Sequence, residues 1–282
     1  MRMDHIQSHS SDSLDYKSLE FLAVGAAGIV YAIDEERVLK DFQGDGIDVE
    51  RQALERLGLH PSIVNYLGST NNGLIFERGK PIRKILEERG ADQIPLHIKY
   101  CWLKEAAEGI RHAHKNGIVL ADDGCNNWII VSGHLKLIDF EGCSIDGKEA
   151  GACYEWFSYK ESTPAAITQK TDIFAYGCAV YEVLTGRPPH AELLATDDRF
   201  HRIRQLYAQN QFPEVEGMPL CNLMLGCWHN TFSSMDDVLH EFHSLPITWE
   251  PFLNLKEPIT SVLDGSRSWE KMSVVAEVTL DT

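Results

Sequence analysis

Residues 119–142 read VLADDGCNNWIIVSGHLKLIDFEG, and the fold turns on how that stretch is read. Two apolar runs, Trp128 to Val131 and Leu135 to Ile138, flank Ser132-Gly133-His134, which is the pattern of two strands joined by a tight turn. Reflecting the chain about Gly133 carries Asn127 onto Asp139, each six residues away. This spacing predicts two oxygen ligands for a hard cation at the open end of a hairpin. Asp122 lies five residues before Asn127, so a tight loop can bring its carboxylate to the same point. Alone, the five-residue spacing describes an ordinary capped loop; the hairpin and Asp139 give it a chemical meaning.

That meaning is a carboxylate base beside an Asn and Asp pair on Mg²⁺, the set that phosphoryl transfer from ATP requires. The stretch resembles the catalytic loop and metal motif of the protein kinase superfamily, with LAD where that family writes HRD and DFEG where it writes DFG. The resemblance implies an α+β, two-lobed protein-kinase-like fold. Its N-lobe would be small and β-rich with one main helix, at about 18–79, and its C-lobe larger and mostly α-helical, at about 80–246. Residues 1–17 would be a disordered tail and 247–282 a C-terminal extension.

A chain of 282 residues has room for one such unit and little else. Lys plus Arg 26 against Asp plus Glu 42 gives −16, which argues against nucleic acid and anionic membrane as partners. The seven cysteines contain no CxxC pair, so they read as reduced thiols of an intracellular, cytoplasmic protein. The start, MRMDHIQSHSSDS, is polar, and no apolar run approaches the length of a membrane span.

From Leu19 the chain reads as short strands: LEFLAV, GAAG, IVYAI, then VLKDF. By themselves Gly25 and Gly28 mark a hairpin turn, and Lys40 a surface lysine. In the resemblance, Gly25, Gly28 and Val30 keep the spacing of the glycine-rich loop, with Ala23 in place of its first glycine. Lys40 would then contact the α and β phosphates. In IDVERQALERLG, Val49, Ala53, Leu54 and Leu57 form one helical stripe, and Glu50 is either solvent-facing or, by resemblance, the partner of Lys40. Only ten residues separate the two, which predicts a helix shortened at its start. A second hairpin surrounds Asn71-Asn72-Gly73. Beyond it the backbone from Glu77 to Gly79 would receive adenine, with Phe76 as its back wall or as plain core.

Helices are expected at 97–116, over TDIFAYGCAVYEVLTGRPPH, and at roughly 197–209, 219–228 and 234–245, the last with Ser234 and Asp237 as a capping box. His112 and His114 lie two apart and cannot share a helical face, so no zinc pair is read. The irregular segment to Thr163, with Tyr154, Ser158, Tyr159 and Ser162, occupies the place of an activation segment.

The departures from the family concern charge. Ala121 replaces the arginine that receives an activation-segment phosphate. Gly124 replaces the lysine that steadies the transferred phosphate, and Asn126 supplies no substitute. Asp123 and Glu141 are expected to add negative charge near the centre. Glu161 lacks its usual arginine in CWHNTFSSMDDV. Lys40, Glu50, Asp122, Asn127 and Asp139 are all present. The sequence therefore points to an ATP-binding protein kinase with weak transfer to a protein hydroxyl. A pseudokinase scaffold is the alternative, and a small-molecule phosphotransferase a more distant one.

Overall fold

The computed structural model describes residues 18–25, 27–44, 46–161 and 166–243; the 1–17 tail, Ser162, Thr163 and the 247–282 extension lie outside them. Residues 20–77, short apolar runs broken by turn signals, form a five-stranded antiparallel sheet. Its strands are β1 (Glu20–Val24), β2 (Gly28–Ala32), β3 (Arg37–Phe42), β4 (Tyr66–Ser69) and β5 (Gly73–Glu77), in the order β1-β2-β3-β5-β4. Helix α1 (Gly46–Leu57) buries Glu50, Ala53, Leu54 and Leu57. The apolar three bury against sheet residues such as Leu74 and Phe76.

The chain leaves this sheet through β6 (Lys80–Pro81) into α2 (Ile82–Arg89). Helix α2 is not anticipated from the sequence, although Ile82, Ile85 and Leu86 follow Pro81 at helical spacing and Gly90 ends the run. The larger half is helical: α3 (Leu96–Lys115), α4 (Gln169–Thr185), α5 (Arg199–Ala208), α6 (Cys221–Trp228) and α7 (Met235–His243). Strand β7 (Ile118–Val119) pairs with β10 (Ser144–Ile145) between α3 and α4. Helix α4 is buried almost all round, as its uniformly apolar sequence requires. Gly177 allows that burial, because a methyl group there would stand 2.5 Å from Cys227 Cβ of α6. The Ser234 and Asp237 capping box is formed at α7, through Asp237 N–H to Ser234 Oγ and Ser234 N–H to Asp237 Oδ2. Among the described residues no helix is long and apolar enough to cross a membrane.

Strands β8 (Trp128–Val131) and β9 (His134–Leu137) form the expected hairpin, with β6 on its other edge. The turn is one residue shorter than anticipated. Val131 pairs with His134, and Ser132 and Gly133 have φ of 50° and 90°, the two positive values of a type I′ turn. Asn127 is therefore level with Ile138, whose N–H donates to the Asn127 carbonyl at 3.0 Å, and not with Asp139. The hairpin is tied to the small lobe by the segment after α1. Leu137 N–H donates to Ser62 O at 2.9 Å and Val64 N–H to Leu137 O at 3.0 Å.

Candidate active site

Asp172, fully buried in the first turn of α4, organises the loop between β7 and β8. A buried carboxylate needs its oxygens filled by donors. Leu120 N–H (2.8 Å) and Ala121 N–H (3.1 Å) supply two of them. His114 Nε2 lies 2.8 Å away, and the Tyr154 hydroxyl donates as well. Ala121 is held at φ 67°, a left-handed geometry that costs a non-glycine residue on the order of 1 kcal/mol and that the Asp172 bonds sustain. No sequence pattern marks His114 and Tyr154 for this duty, since their partner lies in another element.

Asp122 projects from this loop with Asn127 Nδ2 at 3.1 Å and Asn126 Nδ2 at 3.2 Å from its Oδ2. Asn127 Nδ2 also donates to the Asp122 carbonyl at 2.8 Å, leaving Oδ1 as its ligand atom for a cation. Burial pushes the Asp122 carboxyl up to about 6, with the Asn127 bond opposing and Glu155 and Asp139 adding to the rise. Asp123 overturns an expectation. It is buried beneath the loop and accepts the Trp128 indole N–H at 2.9 Å. Burial first, and then Asp172, pushes its carboxyl well above the usual range. Its side chain is packed into the core against Trp128 rather than presented to the centre.

On the sheet side Lys40 Nζ lies 2.8 Å from Glu50, 2.6 Å from Asp139 and 2.6 Å from Glu141. Register puts the lysine there: on β3 it stands between Val30 of β2 and Leu74 of β5. Helix α1 does begin late, at Gly46, yet one turn is enough to bring Glu50 inward rather than to solvent. Glu50 also accepts the Phe140 N–H at 3.2 Å, so lysine, helix and metal motif form one network. Asp139 has φ 67°, which turns it back toward Lys40 despite the shifted hairpin register. Burial opposes the Lys40 charge, but the three carboxylates outweigh it and raise its pKa. Asp139 and the Asn127 amide oxygen are hard oxygen donors, and such a set fits Mg²⁺ rather than a soft metal.

The other anticipated contacts have structural duties of their own. Gly28 lies inside β2, where a methyl group would stand 2.2 Å from Asp41 O; its lack of a side chain serves the β2–β3 pairing. Gly25 N–H donates to Gly28 O at 2.8 Å across the turn. The Glu77 side chain points away from a ligand, accepting Asn65 N–H at 2.6 Å and pairing with Lys136 at 2.7 Å. Gly79 lets β8 close in, since a methyl group there would meet Ile129 at 2.7 Å. Phe76 is buried core.

Arg83 is invisible to the sequence reading. Its Nε and Nη2 donate to Glu182 of α4 (2.6 and 3.0 Å), and Nη1 and Nη2 donate to Glu155 (3.1 and 2.8 Å). This planar fork anchors the segment before α4. Glu161, expected to lack an arginine, pairs with Arg204 at 3.1 Å on the surface.

Comparison with known proteins agrees with this geometry. Residues 28–244 match the family model described as protein kinase domain. Mitogen-activated protein kinase kinase kinase 3 of Arabidopsis thaliana is 29% identical over 199 residues, covering 65% of this chain and 30% of the plant protein. Cell division control protein 7 of Schizosaccharomyces pombe is 28% identical over 209 residues, 65% of this chain and 19% of that protein. Mitogen-activated protein kinase kinase kinase 15 of Mus musculus is 27% identical over 234 residues, 73% of this chain and 17% of that protein. The match takes in less than a third of each relative's length. With its sheet lobe, its helical lobe and Lys40 joining Glu50 of α1 to Asp139, the chain belongs to the protein kinase domain family.

Proposed function

We propose that this domain binds ATP with Mg²⁺ and transfers the γ-phosphate to a protein hydroxyl, slowly. The observation that carries the reading is the position of Lys40 Nζ, 2.8 Å from Glu50 and 2.6 Å from Asp139. That contact joins the sheet, α1 and the metal motif in one arrangement. Asn127 and Asp139 would hold Mg²⁺, which supplies charge neutralisation for the phosphates. Lys40 would pair the α and β phosphates under the Gly25, Gly28 and Val30 loop, and the backbone of Glu77 to Gly79 would border adenine. Asp122 would accept the hydroxyl proton, and a carboxyl near 6 is ionised at neutral pH while remaining basic enough to do so. The relatives' names, which are those of protein kinases acting on protein kinases, support a protein acceptor. Transfer is expected to be slow because Gly124 and Asn126 bring no cation to the moving phosphate. One lost electrostatic donor costs on the order of 10²-fold.

Thermal melting with ATP, with and without Mg²⁺, on wild type and Asp139→Asn tests the nucleotide site without knowledge of the acceptor. A Mg²⁺-dependent rise that the variant loses supports it. Phosphate transfer should then fall at least 10²-fold in Asp122→Asn. Nucleotide binding with no transfer to any protein would favour a pseudokinase scaffold, the second reading, which the absence of a cation at Gly124 and Asn126 motivates. Transfer to small alcohols alone would favour a small-molecule phosphotransferase.

A further inference from the structure

Glu141 has no part in the transfer just described, yet it stands beside the lysine that the transfer needs. Its carboxylate reaches Lys40 Nζ at 2.6 Å, next to Asp139 at 2.6 Å and Glu50 at 2.8 Å. Two of the three N–H donors of the ammonium go to Glu50 and Asp139; Glu141 Oε2 faces the same ammonium as a charge, buried and without a hydrogen bond of its own, on the side a phosphate would approach. Lys40 is 13% exposed and Glu141 16%, so water screens these contacts less than it would surface pairs.

Glu141 is also held from a second side. Only residues 43–45 separate β3 from α1, and this short connection sets the first helical residue against it. A methyl group on Gly46 would stand 3.2 Å from Glu141 Cβ and 3.8 Å from its Oε2. The amino end of a helix favours a carboxylate. The same point is 3.8 Å from Ala27 Cβ, so Glu141 lies close to the loop that joins β1 and β2.

We propose that Glu141 is a built-in competitor for Lys40, standing where a nucleotide phosphate would pair, and that it makes nucleotide binding depend on a divalent cation. The inference rests on the ATP reading above. Without a cation, the polyphosphate approaches one ammonium already shared by three carboxylates. To take Lys40 it must leave Glu141 unpaired in a mostly buried place, which is costly. A cation neutralising Asp139 and the phosphates reverses that balance. A purely mechanical role for Glu141, clasping α1 to the metal motif, would leave the cation dependence untouched.

The test is calorimetric titration of the full chain with ATP in EDTA and in Mg²⁺, for wild type, Glu141→Ala and Glu141→Gln. Glutamine keeps the packing on Gly46 and removes the charge, so it guards against a folding defect in the alanine variant; a ligand-free melt checks both. Wild type is expected to bind only with Mg²⁺, while both variants bind ATP in EDTA and narrow the gap between the two conditions at least tenfold. Wild-type binding that is equal with and without Mg²⁺, or variants that keep the wild-type gap, would overturn this inference alone. No binding by any form under either condition would remove the ATP reading and this inference with it.

Discussion

Lys40 and Arg83 each draw carboxylates from separate parts of the chain, and the difference between them is instructive. Lys40 gathers Glu50, Asp139 and Glu141 on a compact ammonium, one contact to each. Arg83 grips Glu155 and Glu182 with two N–H contacts apiece, through a rigid plane whose spacing matches a carboxylate. The first arrangement rests on single contacts, of which Glu50 and Asp139 make hydrogen bonds and Glu141 does not. The second is a brace that opens only when both forks fail. Ion pairs of similar length therefore differ in rigidity, and the proposed function would use the looser one to meet a ligand.

The largest effect should come from breaking the brace. Arg83→Met leaves Glu182, which is almost fully buried, without a partner. It should cost about 3 kcal/mol, discounted for the partial exposure of Arg83, and lower Tm by about 8 °C in a denaturation scan. Arg83→Lys should recover only part of this, because an ammonium cannot hold two forks; full recovery would contradict the bidentate account.

Lys40→Met should act on ligand as well as on the buried Glu50 it leaves unpaired, weakening ATP binding in Mg²⁺ by on the order of tenfold to a hundredfold for one lost charge-assisted contact. An unchanged ATP affinity would remove Lys40 from the phosphate site. Glu155 links the two clusters, because its charge also raises Asp122. In the proposed transfer deprotonated Asp122 would be the active form, and burial pushes its carboxyl up to about 6. Transfer should therefore climb through that pH and be about tenfold below its plateau at pH 5. Glu155→Gln should move the midpoint of that profile downward. A midpoint that stays in place would mean that burial alone sets it. The smallest change is expected at Asp123, where burial already disfavours the charge; Asp123→Asn preserves the acceptor for Trp128 and should cost less than about 1 kcal/mol in a denaturant melt.

Much of the site is legible in the sequence. The apolar runs on either side of Ser132 and Gly133 announce the hairpin, and the stripe of Ala53, Leu54 and Leu57 announces α1. Both signals are local, carried by period and turn chemistry. The pairing is off by one residue, because the turn has two residues rather than three, with Ser132 and Gly133 both at positive φ. Arg83 escapes for a different reason. Its partners lie 72 and 99 residues away, and α2 itself is too short for its pattern to stand out beside the strand exit. His114 and Tyr154 likewise draw their roles from Asp172, 58 and 18 positions distant in the sequence.

The sequence by itself carried the two-lobed class through its resemblance to the protein kinase superfamily, and the hairpins and most helices, α2 excepted, through periodicity and turn residues that act over a few residues. Tertiary structure alone decided which carboxylate meets which cation, that burial pushes the Asp123 carboxyl well above the usual range and Asp122 up to about 6, and that Glu141 shares Lys40. Charge and burial are properties of what surrounds a side chain, and those surroundings come from segments far apart in the chain.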